Sequence, residues 1–200
     1  MKKQIIVIHG GMTFDTYDDY LNFLKTAEFG LEYLKKKSWR DSLQEKLGDD
    51  FDVVKMQMPS ALNAKYLEWK IYFERYIPFF NEEVVLVGHS LGGIFLAKYL
   101  SENKYSKKIR SVYLIAAPHT DVKIEESLGD FMLPESIEKM SDQVGKIFII
   151  FSEDDMLVTV PHAERYMEQL PKAEVIKFTD KQHFSLPEFG ELVDHIKVHA

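Results

Sequence analysis

Apolar residues along this chain fall into short, nearly continuous runs, separated by longer stretches in which they recur every three or four positions. Six runs read as β-strands: 5–8, 51–56, 84–87, 112–116, 147–151 and 175–178. They are rich in Val, Ile and Phe and lack the in–out alternation of a half-exposed strand, so both faces are expected to be buried, as in a parallel sheet. Segments 31–47, 64–77, 91–101, 162–170 and 187–198 read as helices. Leu31, Leu34, Leu43 and Leu47 lie near helical spacing in the first, and Tyr66, Trp69, Ile71, Phe73 and Ile77 in the second. Both stripes read as core-facing surfaces. The alternation predicts an α/β class, a three-layer sandwich around a doubly wound, mostly parallel sheet of about six strands.

Two stretches resist this assignment. Segment 12–30 is acidic and aromatic without a clear period, and segment 119–143 holds the apolar patch Phe131-Met132-Leu133-Pro134. Long loops of this kind act as lids or binding loops. They are expected to be lid or insertion segments on one domain spanning residues 1–200, a length that suits a single core.

Composition removes several function classes. The formal net charge of −7 argues against a nucleic-acid partner and against attraction to an anionic membrane surface. The absence of cysteine excludes a disulfide framework, a thiolate zinc site and a thiol nucleophile. Lys2 and Lys3 precede an apolar run at 5–8, but that run is shorter than the roughly seven residues of a signal-peptide core. No stretch approaches the roughly 18 apolar residues of a membrane span. The chain therefore reads as soluble and cytoplasmic.

Parallel sheets place ligands at the carboxyl ends of their strands. The loops there carry His9-Gly10-Gly11, Met58-Pro59, Gly88-His89-Ser90, Ala117-Pro118-His119, Glu153-Asp154-Asp155 and the stretch from Thr179 to His183. Gly88-His89-Ser90-Leu91-Gly92 spells G-x-S-x-G between a buried strand and a helical run. That context is a nucleophile elbow: small residues let a tight turn close, and the hydroxyl projects above the sheet at a helix N-terminus. A serine needs a base to take its proton. In folds with this elbow the acid and then the base follow the serine in the chain. Of seven histidines, His183 lies just after the last strand, at the carboxyl end of the sheet. Glu153, Asp154 and Asp155 offer the acid, with Asp154 and Asp155 both open on residue pattern alone. Two backbone N–H groups are expected to form an oxyanion hole: that of Leu91, and that of Gly11 or, with the turn shifted by one, Met12.

The stretches IIVIHGG, VVLVGHSLGG, FSEDDMLVTVP and DKQHF resemble the α/β-hydrolase superfamily. The resemblance is strongest to its small branch, the retinoblastoma-binding-protein-type serine hydrolases and their YdeN-like bacterial relatives. The superfamily's acid often sits in D-x-x-V-P. Asp155-Met156-Leu157-Val158 matches the first four positions, with the proline delayed to Pro161, which favours Asp155. Trp69 matches a tryptophan that small members carry before the elbow strand. The resemblance implies a compact α/β-hydrolase fold and a carboxylic-ester hydrolase working through an acyl-enzyme. Ser90 would be the nucleophile, His183 the base, Asp155 the acid, and Gly11 and Leu91 the oxyanion donors. Phe131, Met132 and Leu133 are lid candidates for substrate contact. The expected partner is a small or medium ester, with thioester or amide open; no cofactor and no metal are implied. The alternative is a protein-interaction or ligand-binding module on the same scaffold, with little turnover. A metal-dependent hydrolase using His9, His89 and His119 lacks any H-E-x-x-H spacing. Asp15, Asp18 and Asp19 do not match a calcium loop, and Lys35-Lys36-Lys37 reads as an exposed helix face.

Overall fold

A computed structural model describes residues 2–28, 30–120, 122–124 and 126–200; Phe29 of the first insertion and Asp121 and Glu125 of the second lie outside the described residues. The strands β1 (Lys3–Ile8), β2 (Phe51–Met56), β3 (Glu83–His89), β4 (Lys108–Ile115), β5 (Val144–Ser152) and β6 (Glu174–Phe178) form one sheet in the order β2-β1-β3-β4-β5-β6. All five pairings are parallel.

Helices cover both faces, which explains the unbroken apolar runs. One face, with Ile6, Ile8, Leu86, Leu114 and Ile149, packs under α4 (Tyr66–Tyr76), α5 (Leu91–Glu102) and α6 (Val160–Gln169). The other, with Ile5, Val7, Val85, Val87 and Ile150, packs under α3 (Trp39–Leu47) and α7 (Gly190–His199). Adjacent residues of a strand thus enter different cores. The stripe on α4 is only partly core: Tyr66, Trp69, Phe73 and the following Ile77 are buried, whereas Ile71 is exposed. The Phe95 ring centroid lies 5.8 Å from that of Tyr66, 5.6 Å from those of Trp69 and Phe73, and 5.9 Å from that of Tyr99.

The expected helix over 31–47 is instead two helices. A short α2 (Leu31–Lys35) ends before Ser38, where a capping box starts α3: Ser38 Oγ accepts from Arg40 N–H, and Ser38 N–H donates to Asp41. A cap of this kind fixes a helix start whatever the upstream periodicity. Leu31 and Leu34 are 69% and 84% exposed, so only the second half of that leucine stripe is core. Segment 12–30 contains α1 (Tyr17–Thr26), whose capping box uses Thr16 and Asp19 and which buries none of its residues. Asp19 is thereby a helix cap. Thr13 pairs with Ser127 in an antiparallel bridge, tying this segment to segment 119–143. Among the described residues no helix is long and apolar enough to cross a membrane.

Phe95→Ala should destabilise the fold by about 3–5 kcal/mol, because a ring packed on every side leaves a cavity. Urea unfolding of the variant against the wild type measures this; a loss below about 1 kcal/mol would contradict the packing described.

Candidate active site

The chain leaves β1 for one edge of the sheet and returns through β3 to build the other side, so a crevice opens between the carboxyl ends of β1 and β3. Ser90 stands there, directly after β3. Its φ of 53° and ψ of −121° are strained for a residue with a Cβ, and its N–H is held by the Ile115 carbonyl at 2.8 Å. The glycines around it are required by close approach. A Cβ on Gly88 would lie 2.4 Å from Gly92 O, and one on Gly92 would lie 2.4 Å from Ile8 O. Leu91 opens α5, so its N–H has no acceptor within the helix.

After β1, Gly10 and Gly11 line the same cavity as Ser90. The Met12 N–H is taken by the Ala61 carbonyl at 2.8 Å, whereas among the described residues nothing takes the Gly11 N–H. His9 braces the turn from below. Met58 N–H donates to its Nε2 at 3.0 Å, so the proton sits on Nδ1, which donates to the Gly10 carbonyl. Burial lowers the pKa of this ring and keeps it neutral, in keeping with that tautomer.

On the far side of the cavity, His183 Nδ1 lies 2.8 Å from Asp155 Oδ2. The other carboxylate oxygen of Asp155 accepts from the N–H groups of Leu157 and Val158, each at 2.9 Å. Burial pushes the Asp155 carboxyl up, but the His183 ring and the two N–H donors outweigh it and hold it below the usual carboxylate range. The three adjacent acids have three different partners. Glu153 pairs with Lys177 at the surface. Asp154 Oδ1 accepts from Ser152 Oγ and from Gln182 N–H at 2.9 Å, so it holds the backbone beside His183. Only Asp155 meets the imidazole. Gln182 and Phe184 flank His183 with φ of 47° and 52°, a kinked turn anchored by the buried Phe184 ring.

His89, inside the elbow motif, supplies a contact that the sequence pattern does not reveal. Its Nε2 donates to the His183 carbonyl at 2.9 Å, and its ring packs against Trp39. Burial and then the nearby His183 ring lower its pKa to about 3, so it is neutral at any ordinary pH. A polar residue ending a buried strand needs a partner; that requirement was the available signal, but it does not name the partner.

Ser90, His183, Gly10, Gly11 and His9 line one cavity of about 570 Å³. Among the described residues Ser90 Oγ has no hydrogen-bond partner, His183 included. Phe131, Met132 and Leu133, expected as lid candidates for substrate contact, do not line this cavity. Phe131 is fully buried against Tyr66 and Trp69, Leu133 is buried, and Met132 is exposed elsewhere, because this patch fills the core under α4 and α5. Segment 119–143 reaches the cavity through Glu126 instead. His119 does not line it; its N–H donates to His162 and its ring packs on Tyr166. Among the described residues, no three His, Asp or Glu side chains are grouped so that they could hold a metal ion.

The sequence model of the family described as serine hydrolase matches residues 29–192. The serine hydrolase RBBP9 of Rattus norvegicus is 26% identical over 149 residues, 74% of this chain and 77% of that protein. YdeN of Bacillus subtilis (strain 168) is 22% identical over 178 residues, 86% of this chain and 82% of that one. The crystal structure of the B. subtilis ydeN gene product superposes with a TM-score of 0.78 at 18% identity, covering 99% and 98% of the two chains. A thioesterase domain from the curacin biosynthetic pathway superposes at 0.63 with 13% identity, covering 98% and 90%. At these identities the structures speak for the fold alone, an α/β-hydrolase fold.

Because His89 is neutral when folded and titrates near 6.5 when unfolded, the unfolded chain binds the extra proton between these values. Its contribution to stability is complete above about pH 6.5 and is lost as pH falls toward 3. His89→Gln should therefore show a shallower fall in urea midpoint between pH 6.5 and 4 than the wild type. Parallel profiles would mean that His89 is not buried neutral.

Proposed function

Since the chain belongs to the serine hydrolase family, we propose that it cleaves a small or medium carboxylic ester through an acyl-enzyme on Ser90. The observation that supports this most is the Asp155–His183 contact of 2.8 Å on the same cavity as a serine held at φ 53°. With the proton of Nδ1 committed to Asp155, His183 Nε2 is the free base. It takes the proton of Ser90 Oγ as that oxygen attacks the ester carbonyl carbon. The carbonyl electrons move onto oxygen, which accepts hydrogen bonds from the N–H groups of Gly11 and Leu91. As the tetrahedral adduct collapses, the alcohol leaves with the proton from His183. Water then attacks the acyl-enzyme with His183 again as base, releasing the acid and restoring Ser90. The missing Ser90–His183 hydrogen bond forms on this reading when substrate closes the site. Met12 and Glu126, from the two insertions that meet at the Thr13–Ser127 bridge, line the cavity, and lid movement on this reading would involve them. A thioester or amide would use the same groups.

That same unbonded Ser90 hydroxyl supports a second reading, a ligand-binding module that turns over little. The two separate cleanly. A fluorophosphonate should add once to the wild type by intact mass and not at all to Ser90→Ala. In ester turnover, Ser90→Ala should lose about 10⁶ and Asp155→Asn about 10⁴ in kcat. No adduct on folded wild type would put the binding module first.

A further inference from the structure

One cation on the cavity wall has no part in this chemistry. Arg40, the second residue of α3, lines the Ser90 cavity and is partly buried. Its Nε–H donates to Ser38 Oγ at 2.9 Å, which fixes the side chain in place. Among the described residues nothing takes the other four N–H donors of the guanidinium. The neighbouring Asp41 is already engaged, by Ser38 N–H at 3.0 Å and by Lys55 Nζ at 3.1 Å. Burial holds Arg40 below its ordinary pKa, and the neighbouring Asp41 carboxylate offsets only part of that effect. Its positive charge also depresses the pKa values of His9 and His89, the two rings that brace the oxyanion turn and the His183 turn.

Resting on the hydrolase reading of Ser90, we infer that Arg40 selects a substrate carrying a carboxylate, which docks on the free edge of its guanidinium while the ester carbonyl lies at Ser90. A planar fork of donors matches the two oxygens of a carboxylate. The charge balance favours a monoanion over a phosphate dianion. Of the other cations on the wall, Lys55 is paired with Asp41 and Lys36 is exposed to water; Asp41 and Glu126 face the same cavity, and the chain as a whole carries −7. Partial burial strengthens such a pair relative to one in open water.

The test uses two fluorophosphonates of equal length, one ending in a methyl and one in a carboxylate, with the rate of Ser90 modification read by intact mass. Two 4-nitrophenyl esters with the same pair of tails give the matching kcat/KM ratio. The wild type should prefer the carboxylate tail by roughly ten- to a hundredfold, the range of a charge-assisted hydrogen bond. That ratio should shrink as salt is raised. In Arg40→Gln it should fall to about one, and Arg40→Lys should keep part of it, since a point charge lacks the fork. The ratio cancels any general loss of activity, and the lysine variant and the wild-type salt series remain informative if the glutamine variant folds poorly. A wild-type ratio near one, or an Arg40→Gln variant slowed equally with both tails, would overturn the carboxylate assignment and leave the hydrolase reading standing. Failure of both probes on folded wild type would overturn the hydrolase reading, and this inference with it.

Discussion

Gly92 sits where a Cβ would lie 2.4 Å from the Ile8 carbonyl oxygen and 2.6 Å from that of His9. This contact presses the first turn of α5 against the end of β1, and the geometry of the cavity depends on it. Because α5 can come so close, the turn before it is tight enough to raise Ser90 above the sheet. Gly93 continues the same crowding, with a Cβ position 2.6 Å from Ala117 Cβ. Helix, elbow and oxyanion turn are therefore packed as one body, and no side chain at Gly88 or Gly92 could be accommodated without moving a backbone segment.

Around that body, polar side chains hold the loops in place, and few of them touch the reacting atoms. His9 fixes the turn after β1 through Met58 N–H and the Gly10 carbonyl. His89 reaches across the elbow to the carbonyl of His183, while Asp154 and Ser152 hold the N–H groups of Gln182 and Lys181. His183 thus sits in a turn gripped at its own carbonyl and at the two preceding N–H groups. Its flanking residues keep left-handed φ values that a free loop would avoid. Orientation by surrounding groups of this kind is what a general base requires if its ring is to stay aligned between acid and nucleophile.

Electrostatically the cavity is divided. His89 is neutral, the Asp155 carboxyl is held low and paired with His183, and Arg40 is a cation on the cavity wall. A neutral ester would leave that guanidinium partly dehydrated and unpaired, whereas an anionic substrate would complete it.

The chain order and periodicity of this sequence determined the six strands, the parallel sheet and the place of Ser90. Burial on both faces writes itself as unbroken apolar runs, and G-x-S-x-G between a strand and a helix is a local steric signature. His183 could also be chosen, from its place after the last strand. What only the tertiary structure decided depends on direction rather than residue type. Asp154 and Asp155 are chemically alike and adjacent; one faces the backbone of Gln182 and the other the ring of His183. The Met12 N–H is occupied by Ala61, far away in the chain, while among the described residues nothing takes that of Gly11. Phe131 and Leu133 looked like a lid in an irregular segment, yet they fill the core, since a loop's apolar residues have no period to reveal which way they face. Helix 31–47 was broken by the cap at Ser38, and no sequence pattern marked Arg40, which the fold places on the wall of the same cavity as Ser90. Local sterics can be read along a chain, but the vector of a side chain is set by packing between segments that the sequence does not place side by side.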